Sequence, residues 1–245
     1  MTRYKIIIEY DGTQFVGWQA QSDLQSVQSS IEDAIFRLTK EQTLVYGSGR
    51  TDKGVHAFGQ VAHFDLEKKY TLTQMAASLN HFLKPLPISI LECSEVSNDF
   101  HARFCAKKRY YKYIILNRPS PPAIYMHKVW HVKANLDIEQ MQQAADYLEG
   151  HHDFTSFRSS ICQSPSPVKT LDRIIITKQG EIINFELVSK SFLHHMVRNI
   201  VGTLKLVGEG KISPEDVKNI LDAKDRTKAG MNCPASGLYF MKVDY

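Results

Sequence analysis

Apolar and aromatic side chains occupy every second position in the segment YKIIIEY, residues 4–10. A period of two residues is that of a β-strand with one buried face. The glycines of the DGTQFVG segment that follows predict a loop at the end of this strand. Apolar residues then recur at the spacing of an α-helix, with Ser26 in the position of an N-cap: Val27, Ile31, Ala34, Ile35 and Leu38.

The same two periods continue to about residue 100. Alternation places Phe58 on the apolar face of a strand, and helical spacing directs Phe82 inward from a helix that ends at the KPLP segment. The predicted elements are strands at 43–48 and 57–66, a helix over 73–83 and a strand at 88–91.

The second half of the chain repeats a similar order of elements. The KQGE turn joins the alternating segments LDRIIIT and EIINFELV, and Ser213 followed by Pro214 predicts the start of a short helix. The other predicted elements are strands at 104–116, 127–133 and 237–245, a helix from 138 that ends at Gly150, and a long helix over 191–207.

Strands and helices in similar order in both halves predict an α+β fold made of two related lobes, with their sheets side by side. We expect the lobes to comprise residues 1–100 and 101–245, with the join near residues 95–110. The length of 245 residues and the 43% hydrophobic content suit a globular protein of this size.

The four cysteines form no CxxC pair, and the sequence has no run of about 18 apolar residues. We therefore expect free thiols and a soluble, cytoplasmic protein. The histidine doublets lack carboxylate or cysteine partners at chelating spacing, so no metal is predicted.

A basic segment, residues 101–112, carries five Lys or Arg and no Asp or Glu, although the net charge of the chain is only +4. Its cations are Arg103, Lys107, Lys108, Arg109 and Lys112, and Phe104, Tyr110 and Tyr111 lie between them. Interleaved cations and aromatics are typical of a nucleic-acid-binding face. A solvated edge strand protected by lysines is the alternative.

The segment GSGRTDKG, residues 47–54, resembles a phosphate-binding loop but matches neither known pattern. Walker A requires Lys followed by Ser or Thr, and the dinucleotide fingerprint leads into a helix, whereas this loop leads into a strand. A tight turn that presents Asp52 fits better. Arg50 and Lys53 favour its ionised form, which makes Asp52 a base or a nucleophile; an Asp that caps its own turn is the alternative.

The predicted helix from Phe192 separates an apolar face from a polar face. His194, Arg198 and Lys205 fall on the polar face at 100° per residue. Arg198 is therefore a candidate ligand contact, and an ordinary solvated face is the alternative.

Six separated blocks resemble the tRNA pseudouridine synthase A family: YDGTQFVGWQAQ, GSGRTDKGVHA, LNHFLKPLPISI, DFHARFCAKKRYYKYII, FLHHMVRNIVGTL and PASGLYF. The blocks span nearly the whole chain in the family's order. The resemblance implies two lobes like RRM or ferredoxin domains, whose mixed antiparallel sheets meet in a pseudouridine-synthase-type architecture.

The resemblance also implies roles for individual residues. Asp52 is the catalytic aspartate, as nucleophile or base, with Arg50 beside it in the loop. Arg198 pairs with the aspartate or with a phosphate, Tyr111 stacks on the target base, and Leu238 borders the pocket. The basic residues beside Tyr111 that would bind RNA are Arg103, Lys108 and Arg109.

The implied reaction converts uridine to pseudouridine in tRNA, at positions 38–40 of the anticodon arm. It needs no cofactor and no metal, because the redox state does not change. The implied partners are tRNA and a second copy of the chain in a homodimer.

Two residues depart from the family pattern: Lys53 replaces a small residue, and Cys233 replaces an alanine that is common there. An RNA-binding module of two RRM-like lobes without chemistry is the main alternative function. A cysteine-based uracil modifier is a weaker one, because no cysteine has an evident activating partner.

Overall fold

The computed structural model describes residues 1–21 and 24–245 of the chain. The first half contains β1 (Thr2–Tyr10), α1 (Val27–Thr39), β2 (Tyr46–Gly47), β3 (His56–Leu66), α2 (Leu72–Leu83) and β4 (Ile88–Val96). The second half contains β5 (Lys108–Asn117), β6 (Trp130–Val132), α3 (Ile138–Asp146), β7 (Gly150–Asp153), β8 (Val168–Gln179), β9 (Ile182–Ser189), α4 (Met196–Gly208), α5 (Pro214–Ala223) and β10 (Leu238–Asp244). The α+β class predicted from periodicity is confirmed.

The chain forms two compact units. Unit 1 comprises Met1–Lys107 and Tyr239–Tyr245, and unit 2 comprises Lys108–Leu238. Among the described residues, none of the helices combines the length and the apolar character that a membrane crossing requires.

In unit 1, β1 lies between β3 and β4 and is antiparallel to both. β2 adds two antiparallel residues to β3. The predicted alternation of β1 is confirmed, because its aromatic and apolar positions are buried: Tyr4, Ile6, Ile8 and Tyr10. The predicted cap of α1 is also confirmed, since the Ser26 hydroxyl accepts a hydrogen bond from the Ser29 amide.

The last strand, β10, belongs mainly to unit 1. It pairs in parallel with β3, through Tyr239 opposite His56 and Phe240 opposite Ala57. The sequence placed all of residues 101–245 in one lobe. That assignment is corrected here because the ladder partner of β10, which periodicity does not reveal, lies in the first 100 residues.

In unit 2, β9 lies between β5 and β8, β7 follows β8, and all of these pairs are antiparallel. β6 pairs in parallel with β5. The two segments predicted on either side of the KQGE turn are β8 and β9. Ile183, Phe185 and Leu187 of β9 alternate as fully buried positions, which places the core of unit 2 on one face of this sheet.

The long helix begins later than predicted. Residues 191–195 lie outside α4, because His195 adopts a left-handed backbone (φ 64°) that an α-helix cannot include. His194 is therefore not on the polar face of a helix. The amide of Ser159 binds the His194 carbonyl instead, at 3.0 Å. α4 is also more buried than an amphipathic helix, since Asn199 and Thr203 are buried beside its apolar residues.

The strand predicted at 104–116 begins only at Lys108. Arg103, Phe104 and Cys105 are consecutive exposed residues, so this part of the chain lacks the alternating burial of a strand. The Cys105 amide instead binds the His101 carbonyl at 3.0 Å, which closes a turn.

Smaller differences concern residues at element boundaries. The strand predicted at 43–48 is reduced to β2, and β7 was not predicted at all. Phe58 is 47% exposed rather than inward, and Leu83 is buried in place of Phe82. The element boundaries and the burial of these side chains depend on which surface a neighbouring element covers, and the local sequence period does not specify that surface.

Candidate functional site

The Asp52 loop, residues 48–55, connects β2 to β3 as predicted. Its turn is closed by the Val55 amide, which donates to the Asp52 carbonyl at 3.1 Å. Gly54 has φ +80°, a conformation that favours glycine. The half-buried Asp52 side chain is presented from a defined backbone position.

The glycine-rich loop after β1 holds the Asp52 loop from one side. The Trp18 amide donates to the Thr51 carbonyl at 3.0 Å, and Gly17 forms an antiparallel bridge with Asp52. Gly17 has φ +122°, and a Cβ there would lie 2.6 Å from the Thr51 oxygen. Glycine is therefore required for the two loops to approach this closely.

A second close approach occurs where β2 ends. A Cβ on Gly47 would lie 2.5 Å from the Trp18 ring, and one on Gly12 would lie 1.9 Å from the Val55 carbonyl oxygen. The glycines of DGTQFVG and GSGRTDKG thus let one loop pack against the other.

Buried side chains of β1 and β3 also hold the Asp52 loop. The Tyr10 hydroxyl and the Thr51 hydroxyl are 2.8 Å apart, and burial raises the pKa of Tyr10 to about 12, so its phenol keeps its proton. The Ser48 hydroxyl donates to Gln60 Oε1 at 2.6 Å, and Gln60 Nε2 donates to the Gly49 carbonyl at 2.9 Å. The arm of the loop that precedes Asp52, residues 48–51, is therefore tied to strands β1 and β3 of unit 1.

These supporting residues were not found from the sequence. Tyr10 and Gln60 read as ordinary strand positions there, and Thr51 as a turn residue. Their partners lie 41, 12 and 11 residues away along the chain. The one signal was that YDGTQFVGW and GSGRTDKG both combine glycines with polar residues that a simple turn does not need.

The two cations that flank Asp52 in the sequence, Arg50 and Lys53, are both exposed. They therefore extend toward solvent from the same turn. This arrangement gives the Asp52 loop a positive rim around a half-buried carboxylate.

In unit 2, the aromatic residues of β5 divide between two roles. Tyr113 is fully buried, and its hydroxyl donates to the Pro234 carbonyl at 2.8 Å. Tyr111 lies two residues earlier on the same face of the strand and is only half-buried. Its ring meets Phe192 edge to face, with centroids 5.0 Å apart. Phe192 therefore fixes the orientation of an aromatic ring that remains partly accessible.

Arg198, in the first turn of α4, is anchored to the segment before β10. Its Nε donates to the Cys233 carbonyl at 2.7 Å, which fixes the plane of the guanidinium. Gly202 and Met231 are in close contact, since a Cβ on Gly202 would lie 1.8 Å from the Met231 oxygen. The position of Arg198 is thus set by tight packing between α4 and residues 230–234.

Cys233, which directly precedes PASGLYF, and Leu238, within it, are buried. Burial raises the pKa of the Cys233 thiol to about 12, so it is not an activated nucleophile. Gly237 precedes Leu238, and a Cβ on it would lie 2.6 Å from the Tyr113 ring. The substitution at Cys233 therefore lies in the packing around Arg198 and Tyr113.

The cations of the basic segment occupy different environments. Arg103 and Lys108 are exposed, and Lys108 Nζ lies 3.4 Å from Asp172 Oδ2. Arg109 is only 8% exposed, and its guanidinium donates to the Lys190 carbonyl. Register with β9 therefore places Arg109, an RNA contact implied by the family resemblance, inside the unit.

Comparison with known proteins gives consistent results over the full chain. The family model described as tRNA pseudouridine synthase matches residues 6–105 and 144–245. The tRNA pseudouridine synthase A of Rhodospirillum centenum is 49% identical over 245 residues, covering 100% of both chains. That of Paramagnetospirillum magneticum is also 49% identical, covering 100% of this chain and 96% of its own.

A solved structure, described as a Cbf5-Nop10-Gar1 complex, is a much more distant match. It covers 96% of this chain and 57% of its own, at a TM-score of 0.38 and 9% identity. This match is too weak to add to the assignment from the sequence relatives.

Proposed function

The chain belongs to the tRNA pseudouridine synthase family, and we propose that it isomerises uridine at positions 38–40 of the anticodon arm, with Asp52 as the catalytic carboxylate. Its class is that of an isomerase acting on tRNA. The observation that carries the assignment of Asp52 is the loop geometry: a half-buried carboxylate on a closed turn whose preceding arm, residues 48–51, is hydrogen-bonded to the rest of unit 1.

The reaction breaks the N-glycosidic bond between C1′ and N1, turns the uracil and joins C1′ to C5. The hydrogen on C5 leaves as a proton and N1 takes up a proton, so no oxidant or reductant is needed. An ionised Asp52 can attack C1′ as a nucleophile or remove the C2′ proton as a base. Both routes require a carboxylate held at a defined position against the sugar, which is what the clamped loop supplies.

The other proposed catalytic residues act through charge. Arg50 lies two residues before Asp52 and adds positive potential at the rim of the loop. Arg198 pairs with the catalytic carboxylate or with a phosphate, and its Nε contact with the Cys233 carbonyl sets the direction of its guanidinium. A fixed guanidinium binds an anion with less loss of side-chain entropy than a mobile one.

The target base must leave its stack before Asp52 can reach the sugar, which costs a few kcal/mol. We propose that the partly accessible ring of Tyr111 stacks on the flipped base and that Leu238 borders the same pocket. The exposed cations Arg103 and Lys108 contact RNA phosphates. Arg109 contributes by holding β5 to the end of β9.

We further propose a homodimer in the cytoplasm that works without a cofactor or a metal. The 49% identity to tRNA pseudouridine synthase A of two bacteria supports a tRNA substrate. The chemistry described above requires only protein side chains.

The deciding experiment uses unmodified tRNA carrying tritium at uridine C5. Formation of the C1′–C5 bond releases that tritium to water, so time-dependent release demonstrates pseudouridylation. Transcripts with uridines replaced singly at positions 38, 39 and 40 locate the target. Tight binding without release would indicate an RNA-binding module instead.

A further inference from the structure

Phe104 is 74% exposed on the surface of unit 1. A single exposed apolar side chain is common on protein surfaces, so the neighbours of Phe104 decide whether its ring marks a binding surface. The turn is the first part of the basic segment, residues 101–105, called here the aromatic turn.

Four hydrogen bonds shape the aromatic turn. The Cys105 amide binds the His101 carbonyl at 3.0 Å, and the His101 amide contacts Cys105 Sγ at 3.2 Å. The Arg103 amide donates to His101 Nδ1 at 3.1 Å, and the Ala102 amide donates to His63 Nδ1 at 3.2 Å. His63 is buried in β3, so the turn is fastened to the sheet and presents Phe104 from a preorganised backbone.

Phe104 continues a row of rings rather than standing alone. Its centroid lies 4.3 Å from His101, whose ring lies 5.9 Å from Tyr46 and 4.6 Å from the buried His63. Tyr46 is itself 45% exposed and stacks on His63 at 5.2 Å. The exposed aromatic surface therefore rests on a base of packed rings, of which Tyr46 and His63 are stacked.

The charge around this row suits a polyanion. The Arg103 guanidinium lies over the Phe104 ring, 5.6 Å from its centroid. Lys107, also exposed, follows the turn. Burial lowers the pKa of His63 to about 4 and lowers that of His101, so both imidazoles are neutral near pH 7.

From this arrangement we propose that the aromatic turn binds an unpaired nucleotide of the tRNA substrate by stacking the base on Phe104, with Arg103 placed for the adjacent phosphate. The proposal rests on the proposed function for the identity of the RNA. It adds a contact outside the Tyr111 site, in unit 1, that recognises a nucleotide not undergoing reaction.

A nucleotide fits this surface better than a peptide or a second copy of the chain does. A stacked base uses the ring face and the guanidinium together, as single-stranded RNA-binding surfaces do. In a symmetric dimer through this surface, Arg103 and Lys107 would meet the same cations of the second copy, whereas a nucleotide brings a phosphate to them.

The test measures the affinity of the intact protein for an unmodified tRNA transcript and for a fully paired RNA duplex. We expect Phe104→Ala to weaken tRNA binding about 5- to 150-fold, the range for loss of one base–aromatic stack, and to leave duplex binding unchanged. Phe104→Tyr keeps the ring and should bind like wild type. The matched control is Phe36→Ala, because Phe36 is 42% exposed with Lys40 over its ring but lies on α1, away from the turn.

The salt dependence of tRNA affinity distinguishes the contribution of the Phe104 ring from that of the Arg103 charge. Phe104→Ala should leave the slope of log K against log salt unchanged, whereas Arg103→Gln should reduce the slope by roughly 0.7, the value for one single-strand phosphate contact. Wild-type tRNA affinity in Phe104→Ala would overturn the proposal, as would equal losses for tRNA and duplex. A change in sedimentation without a change in RNA affinity would identify a protein interface instead.

The outcome is independent of catalysis. If the wild-type protein binds tRNA through Phe104 but releases no tritium, the proposed function fails and the stacking surface remains. If Phe104→Ala releases tritium at the wild-type rate and binds tRNA with wild-type affinity, the proposed function holds and the proposed stacking surface is wrong.

Discussion

The Asp52 loop and the basic segment are both short, charged segments, but their charged side chains lie in different environments. In the loop, backbone and buried side-chain hydrogen bonds hold one half-buried carboxylate in place. In the basic segment, adjacent cations diverge: Lys108 is exposed and Arg109 is buried. A charged residue in a motif therefore indicates function only after its environment is known.

The difference follows from how each segment is built. The Asp52 loop packs against the glycine-rich loop after β1, and this close contact restricts the backbone of Thr51 and Asp52. The basic segment passes from a turn into β5, where side chains alternate between two faces. One residue of register therefore decides whether a cation meets solvent or the interior.

The largest effect is expected at Asp52. Asp52→Asn keeps the shape of the side chain but removes its charge and nucleophilicity, so tritium release should fall to background while tRNA affinity stays within a few-fold. The control is Asp33→Asn, an exposed carboxylate on α1. Wild-type turnover in a correctly folded Asp52→Asn protein would remove Asp52 from the mechanism, and parallel loss of binding would make it an RNA contact.

The next effect concerns the folded state. Arg109→Gln shortens the side chain and removes the charged hydrogen bond to the Lys190 carbonyl, so the free energy of unfolding should fall by about 1.5 to 3 kcal/mol. Urea unfolding measures this loss. Lys108→Gln, one residue away and exposed, should change stability by less than about 1 kcal/mol. Equal stability of both variants would show that the buried position of Arg109 has no energetic consequence.

A comparable effect, on catalysis rather than stability, is expected at Tyr111. Tyr111→Ala should cost about 1 to 3 kcal/mol in kcat/KM through the lost ring face, and Tyr111→Phe should retain most activity. Tyr147→Ala is a matched control, since Tyr147 is 36% exposed at the end of α3. A Phe variant as inactive as the Ala variant would assign a proton-transfer role to the hydroxyl in place of stacking.

The smallest effect is expected at Lys108. If Lys108 contacts a phosphate, Lys108→Gln should lower the slope of log K against log salt by roughly 0.7 to 0.9. Lys218→Gln, an exposed lysine on α5, provides the comparison. An unchanged slope would return Lys108 to the role of a solvated strand lysine paired with Asp172.

Local patterns determined much of this protein without the structure. β1, α1 with its Ser26 cap and the β8–β9 hairpin follow from periods of two and 3.6 residues and from turn chemistry. The position of Asp52 between two strands followed in the same way. Six separated motifs indicated the family, because their order along the chain depends on the whole fold and is more specific than any single loop.

Only the tertiary structure decided how distant segments meet. The Tyr10–Thr51 contact joins residues 41 apart, β10 joins β3 across most of the chain, and His195 starts α4 later than the apolar period suggested. The environment of Arg109 depends on the register of β5 with β9. Periodicity reports which face of an element is apolar, whereas burial, register and long-range hydrogen bonds are set by which surfaces pack together.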